Sequence, residues 1–149
     1  MRAVVQRVKS ASVKVAGEEI SVIGTGFLVL LGVREDDGRE DVDYMVRKIS
    51  GLRIFYDQDK RMRLSLQDVA GAVLVVPQFT LYGDARKGNR PSFSHAAPPE
   101  LGRTLYEEVM RGLENLGLPV SGGRFRESME VGLVNDGPVT ILLDSKKEF

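Results

Sequence analysis

The segment Asn135-Asp136-Gly137-Pro138-Val139-Thr140 lies between two apolar runs, Met129–Val134 and Val139–Leu143. Glycine leaves the backbone the most freedom, whereas proline has a fixed φ and lacks an N–H group. The bond that precedes a proline is also the only common place for a cis peptide. The segment therefore predicts a sharp turn between two strands, with a cis Gly137–Pro138 bond. An ordinary exposed hairpin turn with a trans bond is the alternative.

A second segment, Pro77-Gln78-Phe79-Thr80-Leu81, ends a run of continuous apolar residues. We expect one buried strand over Ala72–Leu81, with the Thr80 hydroxyl and the Gln78 amide at its end. Peptide N–H groups around Phe79 and Thr80 would then be able to face an oxyanion. A threonine in a strand is also a common β-branched filler, and its hydroxyl is a weak nucleophile without an adjacent base. Gln78, Phe79 and Thr80 are the candidate catalytic residues of this segment.

Apolar periodicity predicts two helices among about eight strands. The unbroken apolar run Phe27–Val33 is typical of a strand that is covered on both faces. One helix follows from a stripe at i, i+3, i+4, i+7 and i+10, and a second begins at Pro98-Pro99-Glu100 and ends before Gly117. The two stripes are Val42, Met45, Val46, Ile49 and Leu52, and Leu101, Leu105, Val109, Leu113 and Leu116. The length predicts a single domain over residues 1–149, and the pattern of elements predicts the α/β or α+β class.

Composition excludes several kinds of chemistry. The 149 residues include no cysteine and a single histidine, His95, so thiolate catalysis, disulfides and a histidine-rich zinc site are ruled out. A Ser-His-Asp triad would have to combine His95 with Ser92 or Ser94, and residues only one to three positions apart rarely have that geometry. We expect no metal and no cofactor. No apolar stretch approaches the roughly 20 residues of a membrane span, so we expect a soluble, cytoplasmic protein.

The charges balance overall but are unevenly placed. Lysine and arginine together number 21, as do aspartate and glutamate, so a global basic field is absent. Within the long predicted loop Tyr82–Ala97, however, Arg86, Lys87 and Arg90 cluster with no acid beyond Asp84. This basic loop predicts a site for nucleic-acid phosphates, and an ordinary solvated charge run is the alternative.

Three motifs together resemble the D-aminoacyl-tRNA deacylase family. The family pattern reads Ser-Gln-Phe-Thr-Leu, then Lys/Arg-Gly-x-Arg-Pro-Ser-Phe, then Asn-x-Gly-Pro-Val-Thr. Here the corresponding segments begin at Pro77, Lys87 and Asn135, in the same order. The likeness spans essentially the whole chain and extends to Gln6-Arg7-Val8 and to Met129. Two departures are the Pro77 that stands in place of serine, and Arg126-Glu127, where small residues are usual.

The resemblance implies a fold, a substrate and a set of site residues. It implies a three-layer β/β/α arrangement with barrel-like mixed sheets, two main helices and a homodimer. The substrate would be the 3′ acceptor end of D-aminoacyl-tRNA, and the loop residues Arg86, Lys87 and Arg90 would contact tRNA phosphates. Glycyl-tRNA mischarged on tRNA-Ala is a second expected substrate, because a site that tests only where the side chain points cannot exclude glycine. The substrate-binding residues would be Pro77, Met129, Gly137 and Pro138.

The Gly137-Pro138 turn would enter the active site of the other subunit. There its carbonyl groups would accept the hydrogens of the substrate's α-ammonium group and occupy the space of an L side chain. For the hydrolytic step, two mechanisms stay open. Either Thr80 forms an acyl-enzyme, or main-chain donors stabilise the oxyanion while the vicinal ribose hydroxyl of the substrate assists.

Two other functions also stay open. One is a related deacylase with relaxed stereospecificity, which Pro77 suggests, and the other is a non-catalytic RNA-binding module.

The alternation of Phe125, Met129, Val131 and Leu133 with polar or small residues predicts a strand with one buried face. On that strand Glu127 would share the face of Met129, and Arg126 would point away. Since a buried unpaired carboxylate is costly, we expect Glu127 at a wet rim of the pocket.

Overall fold

The computed structural model describes all 149 residues. Two α-helices and eight strands form, as the periodicity predicts. The bounds are β1 Arg2–Val15, β2 Glu18–Ile23, β3 Gly26–Gly32, α1 Arg39–Gly51, β4 Phe55–Tyr56, β5 Met62–Leu64, β6 Ala72–Pro77, α2 Pro99–Asn115, β7 Val120–Gly122 and β8 Glu130–Asp144. A short 3₁₀ turn, Phe79–Tyr82, follows β6.

Six strands form one mixed sheet, and β4 and β5 form a separate hairpin. In the large sheet β3, β6 and β7 are parallel, while β1 is antiparallel to β2, β3 and β8. The long strand β1 pairs with β3 through its first half and with β2 through its second half. β8 runs along nearly the whole of β1 on its other side and has no further partner, so it is an edge of the sheet.

Two hydrophobic cores divide the molecule into three layers. Side chains alternate along β3 and β6, so Val29 and Val75 point into one core while Leu28 and Leu74 point into the other. The larger core lies between these strands and the buried faces of α1 and α2. The smaller core lies between the same strands and the second half of β1 with β2. The structure confirms the predicted β/β/α arrangement, with β3 and β6 in the middle layer.

The helices begin and end where local chemistry favours it. At the start of α1 the Asp41 carboxylate accepts the Gly38 N–H at 2.9 Å, which satisfies one of the free donors of the first turn. α2 has Pro99 at its first turn and is followed by Gly117 with φ +83°, the usual glycine of a helix end. Of the predicted stripe of α2, Leu116 lies beyond the helix and is exposed. Neither helix combines the length and apolarity that a membrane crossing requires.

One prediction from the opening segment is correct and another is wrong. The Gly137–Pro138 bond is cis, as predicted. The segment does not turn the chain back, however, because β8 continues through it beside β1. Asn135 pairs with Val8 and Thr140 pairs with Gln6, so four residues of β8 oppose the single residue Arg7. The segment is therefore a wide bulge in one long strand rather than a turn between two strands.

The start of this strand also differs from the prediction of one buried face. Phe125 and Arg126 form a turn before the strand, and the φ of Arg126 is +65°. Met129 and Val131 are half-buried, but Leu133 is exposed. The alternation of apolar and polar residues thus continues to Leu133, although no other part of the chain packs over that residue.

Candidate active site

The strand that leads into the candidate catalytic segment ends earlier than the sequence predicts. β6 ends at Pro77, where proline has no N–H to continue the ladder. The Gln78 N–H then donates to the Leu31 carbonyl at 2.8 Å, and the chain enters the 3₁₀ turn. Thr80 is therefore exposed in a turn and does not lie at the end of a buried strand.

The 3₁₀ turn offers hydrogen-bond donors and no base. Its first internal bond runs from Leu81 N–H to the Gln78 carbonyl at 3.3 Å, so the N–H groups of Phe79 and Thr80 have no acceptor within the turn. The Gln78 side-chain amide donates to the Thr80 hydroxyl. No carboxylate, imidazole or amine bonds to that hydroxyl, so nothing in its contacts can remove its proton.

A pocket of about 580 Å³ opens beside this turn. It brings together four of the predicted residues, Pro77, Gln78, Phe79 and Met129, and most of its other walls are apolar. A volume in this range with few polar groups is typical of a small-molecule site. Thr80 adjoins the pocket through its neighbours in the chain but does not line it.

Two aromatic residues in the pocket wall were not predicted. Tyr106 of α2 donates its hydroxyl to the Val75 carbonyl at 2.8 Å, and burial raises the pKa of Tyr106 to about 12. Phe125 lies against Tyr106, with ring centroids 6.3 Å apart. The signal for Tyr106 was an aromatic side chain with a polar tip next to the apolar stripe of α2. Phe125 was assigned to a strand, so its place in a turn could not be anticipated.

Two charged residues and a serine lie at the rim of the pocket. Arg126, Glu127 and Ser128 are exposed and line the opening. The rim position predicted for Glu127 is confirmed, whereas Arg126 also lies at the rim and does not point away. Glu127 is the only carboxylate of the pocket lining, and no group of three or more His, Cys, Asp or Glu side chains is arranged to hold a metal ion.

The Gly137–Pro138 bulge is held by a buried arginine. Arg7 is 1% exposed, and its Nε donates to the Asp136 carbonyl at 3.0 Å while another nitrogen donates to the Ile54 carbonyl. The guanidinium also lies over the Tyr56 ring, 4.7 Å from its centroid. A Cβ on Gly137 would come within 2.6 Å of the guanidinium, so only glycine fits there.

This anchoring role of Arg7 was not predicted, although a basic residue inside an apolar strand was a signal for it. Gly137 and Pro138 are exposed and do not line the pocket of their own chain.

The basic loop is exposed and stands apart from the pocket lining. Arg86 forms two hydrogen bonds with Asp84, at 2.9 and 2.6 Å, which lower the pKa of that carboxyl group. Lys87 and Arg90 are exposed and form no salt bridge. Two of the three predicted phosphate ligands are therefore free of acidic partners, and the third is already paired.

Known proteins match this chain over nearly its whole length. The family model described as D-Tyr-tRNA(Tyr) deacylase matches residues 4–144. A D-aminoacyl-tRNA deacylase of Thermosipho africanus (strain TCF52B) is 56% identical over 149 residues, all of both chains.

Solved structures share the fold. The c-Myc DNA Unwinding Element Binding Protein has a TM-score of 0.90 and 42% identity, over 97% of this chain and 98% of that one. A structure described as a "probable eukaryotic D-amino acid tRNA deacylase" has a TM-score of 0.80, over 95% and 97% of the two chains. At 17% identity, that second likeness concerns the fold alone. With its motifs, its pocket and a full-length match all in agreement, the chain belongs to the D-Tyr-tRNA(Tyr) deacylase family.

Proposed function

We propose that this protein hydrolyses the ester bond between a D-amino acid and the 3′ acceptor end of tRNA, releasing both as a proofreading step. The observation that carries the proposal is the pocket in which Gln78 and Phe79 meet Met129, in a chain of this family. Glycyl-tRNA mischarged on tRNA-Ala is a second substrate, since a site that reads only the direction of a side chain accepts glycine.

A deacylation assay with tRNA charged with D-tyrosine, L-tyrosine or glycine tests the proposal. We expect hydrolysis of the D and glycyl esters, with the L ester spared by about 10⁴-fold, which corresponds to roughly 5.5 kcal/mol. Comparable rates on D and L esters would instead identify a deacylase of relaxed stereospecificity. In that case Pro77→Ser, which introduces the usual residue of the family pattern, should restore selectivity. Binding of tRNA with no hydrolysis of any ester would identify an RNA-binding module.

The mechanism that the site supports uses main-chain donors and the substrate's own hydroxyl. The N–H groups of Phe79 and Thr80 stabilise the oxyanion, and each such donor is typically worth about 3–4 kcal/mol. Water attacks the ester carbonyl, the bond between the acyl carbon and the ribose oxygen breaks, and the proton lost by the water passes to that oxygen with the help of the vicinal ribose hydroxyl. The products are the free D-amino acid and tRNA. Thr80 is not the nucleophile, because its hydroxyl accepts a bond from Gln78 and has no base in contact.

Two substitutions of Thr80 separate the mechanisms. Thr80→Val keeps the shape and removes the hydroxyl, whereas Thr80→Ser keeps a hydroxyl. We expect measurable single-turnover hydrolysis with both variants. Near-complete loss in Thr80→Val, together with a trapped ester on Thr80 of the wild type, would overturn the main-chain mechanism.

The working form of the enzyme is a homodimer that covers β8. This edge strand exposes Leu133, Val134 and Leu142, which are 41%, 52% and 59% exposed. An unpaired edge with large apolar side chains favours association, and a second copy presents the same surface about a two-fold axis. In the dimer, Gly137 and Pro138 enter the partner's pocket and exclude L side chains.

Sedimentation of wild type and Leu142→Asp tests the dimer. We expect a dimeric wild type and a monomeric, folded variant. The variant should hydrolyse the D ester more slowly and discriminate less between D and L esters. Leu116→Asp is the matched control, since Leu116 is 47% exposed but lies after α2. A monomeric wild type that still discriminates D from L esters would contradict both the dimer and the shared site.

The basic loop binds tRNA phosphates. Lys87 and Arg90 are exposed without acidic partners, which supports a role in phosphate binding, and Arg86 adjoins them. Neutralising all three should weaken tRNA binding and reduce its salt slope by about one unit per lost contact, with little change in turnover of bound substrate. Wild-type affinity and slope in the triple variant would identify a solvated surface.

A further inference from the structure

A second cleft, of about 700 Å³, lies on the other side of the 3₁₀ turn. It shares no residue with the candidate active site. Three arginines from three separate segments of the chain converge on it, Arg2, Arg34 and Arg86, and the acids of its lining are Asp84 and Glu148. The arginines of the lining therefore outnumber its acids by one.

The Glu148 carboxylate bridges two of these arginines, each of which also pairs with an aspartate outside the cleft lining, Arg2 with Asp144 and Arg34 with Asp36. One oxygen of Glu148 accepts from Arg2 Nη2 at 2.8 Å, and the other accepts from Arg34 Nη1 at 2.5 Å. The hydrogen bond from Arg34 lowers the pKa of Glu148. Glu148 itself remains 43% exposed and lies on the short segment after β8, so an incoming group can reach it.

One residue of the cleft lining has a buried hydroxyl with no partner. Tyr82 is 5% exposed, lines the cleft, and its hydroxyl forms no hydrogen bond within the chain. Burial raises the pKa of Tyr82, so the hydroxyl keeps its proton and can donate it. Buried polar groups are nearly always hydrogen-bonded, and one left without a partner calls for an explanation. A ligand with acceptor oxygens supplies that explanation.

We propose that this cleft binds a backbone phosphate of RNA and that Glu148 occupies the arginine pair until the phosphate arrives. A phosphodiester has two non-bridging oxygens, which can accept from Arg2 and Arg34 as the two oxygens of Glu148 do. When Glu148 leaves, the charge of the cleft lining rises from one net positive charge to two. Arg2 then keeps its ion pair with Asp144 at 3.2 Å, and Arg34 keeps its ion pair with Asp36 at 3.0 Å, so the Nη groups that held Glu148 are the ones set free. The assignment to tRNA rests on the proposed function.

The position of the cleft favours an RNA strand over a free anion. Arg2 Nη1 also donates to the Leu81 carbonyl at 3.3 Å, in the turn that carries Thr80. Arg86 links the cleft to the basic loop. The two ends of the 3₁₀ turn therefore line the two sites, Phe79 the candidate active site and Tyr82 the cleft. The open cleft is also far larger than an inorganic phosphate requires.

The test is the affinity for uncharged tRNA across a salt series. We expect Arg34→Gln to weaken binding about tenfold and to reduce the salt slope by about 0.7–0.9, the loss of one phosphate contact. Tyr82→Phe should weaken binding several-fold, and Glu148→Gln should tighten it several-fold. Arg39→Gln is the matched control, since it removes one exposed arginine of α1 that pairs only with Asp43.

A double variant makes the competition between Glu148 and phosphate explicit. The tightening caused by Glu148→Gln should disappear in the Arg34→Gln background, because the two residues act on the same contact. Glu148 is exposed, so its substitution leaves the fold intact. Unchanged affinity in both Arg34→Gln and Glu148→Gln would reduce the cleft to an intramolecular ion-pair cluster and overturn the proposal.

Titration with inorganic phosphate distinguishes the source of the ligand. Phosphate that binds in an Arg34-dependent way, with tRNA affinity independent of Arg34, would overturn the assignment to RNA. The binding probe is tRNA without an amino acid, so binding can be measured whether or not the protein hydrolyses esters. A wild type that hydrolyses no ester but binds tRNA in an Arg34-dependent way would contradict the deacylase proposal alone. Normal deacylation with Arg34-independent binding would remove this inference alone.

Discussion

β3 and β8 are both apolar strands of one sheet, yet the chain covers them differently. β3 lies between β1 and β6, and Phe27–Val29 are at most 2% exposed. β8 pairs only with β1, and Val134 and Leu142 are 52% and 59% exposed. An apolar strand indicates that something will cover it, but not whether the cover is the same chain or another copy. Burial within the chain sets the free energy of folding, whereas burial between copies sets the free energy of association.

Leucine-to-alanine substitutions in the two strands should give the largest contrast. Leu28→Ala in β3 should lower the free energy of unfolding by about 2–5 kcal/mol, the usual cost of a cavity in a core. Leu142→Ala in β8 is the matched control and should cost far less in dilute protein, where association does not contribute. Urea unfolding at several protein concentrations measures both. A concentration-independent cost in Leu142→Ala as large as that in Leu28→Ala would remove the contrast.

The residue that joins the two strands gives the next largest effect. Arg7 pairs with Phe27 of β3 and anchors the bulge of β8 through the Asp136 carbonyl. Arg7→Met keeps the apolar stem but should cost about 2–3 kcal/mol, because it removes charge-assisted hydrogen bonds and leaves the Ile54 carbonyl buried without a partner.

Amide hydrogen exchange locates the effect of that substitution. Protection should fall around Asn135–Thr140 in Arg7→Met and stay unchanged in β3. Arg7→Lys keeps the charge without the planar fork and should show an intermediate loss. Uniform loss of protection in both strands would mean that Arg7 supports the whole sheet and not the bulge.

The difference between the strands also marks what could be predicted from sequence. β3, α1 and α2 could be predicted from local periodicity, because their apolar side chains are buried within the same chain. The bulge of β8 depends on its register against β1, a pairing between residues some 130 positions apart in the chain. A turn and a bulge have the same local sequence, so only that pairing distinguishes them.

The candidate site shows the same division. Gln78, Phe79 and Met129 were identified through motifs, and the structure brings them to one pocket. The 3₁₀ turn could not be predicted, because Phe79 and Leu81 continue the apolar character of β6 beyond the proline that ends it. Tyr106 reaches the pocket only because α2 packs across the end of β6, a tertiary contact with no local signature.

An isosteric pair of substitutions should give a smaller and cleaner contrast. Val29→Thr in β3 places a hydroxyl in a fully buried site and should cost about 1–3 kcal/mol, because the hydroxyl loses its water without gaining a partner. Val134→Thr in β8 changes the same atoms at a 52% exposed site and should stay within about 0.5 kcal/mol. Denaturation of dilute protein measures the folding cost, and sedimentation should then report weaker association only for Val134→Thr.

The smallest expected effect is a pH dependence of the free energy of unfolding, which should arise at the end of β8 and not in β3. Ser145, the residue after β8, donates to the carboxylate of Asp41 in α1 at 2.5 Å, and Lys146 lies 3.0 Å from it. Burial alone would raise the pKa of Asp41, but hydrogen bonds from Ser145, Gly38 and Lys146 outweigh it and lower the pKa from 3.8 to about 2. A carboxyl group with a lowered folded-state pKa contributes stability above its unfolded pKa and loses it as pH falls through the folded value.

Between about pH 4 and pH 2 the anchor after β8 should therefore lose about 1–2 kcal/mol, a figure that allows for solvent screening. Urea unfolding of wild type and Asp41→Asn across this range measures the loss, which should be absent from the variant. Asp43→Asn, an exposed neighbour on α1, should retain it. The cost of Leu28→Ala should be the same at both ends of the range, since apolar burial in β3 involves no proton. Parallel loss of stability in wild type and Asp41→Asn would place the acid sensitivity elsewhere, and β8 would then be held to α1 by packing and not by charge.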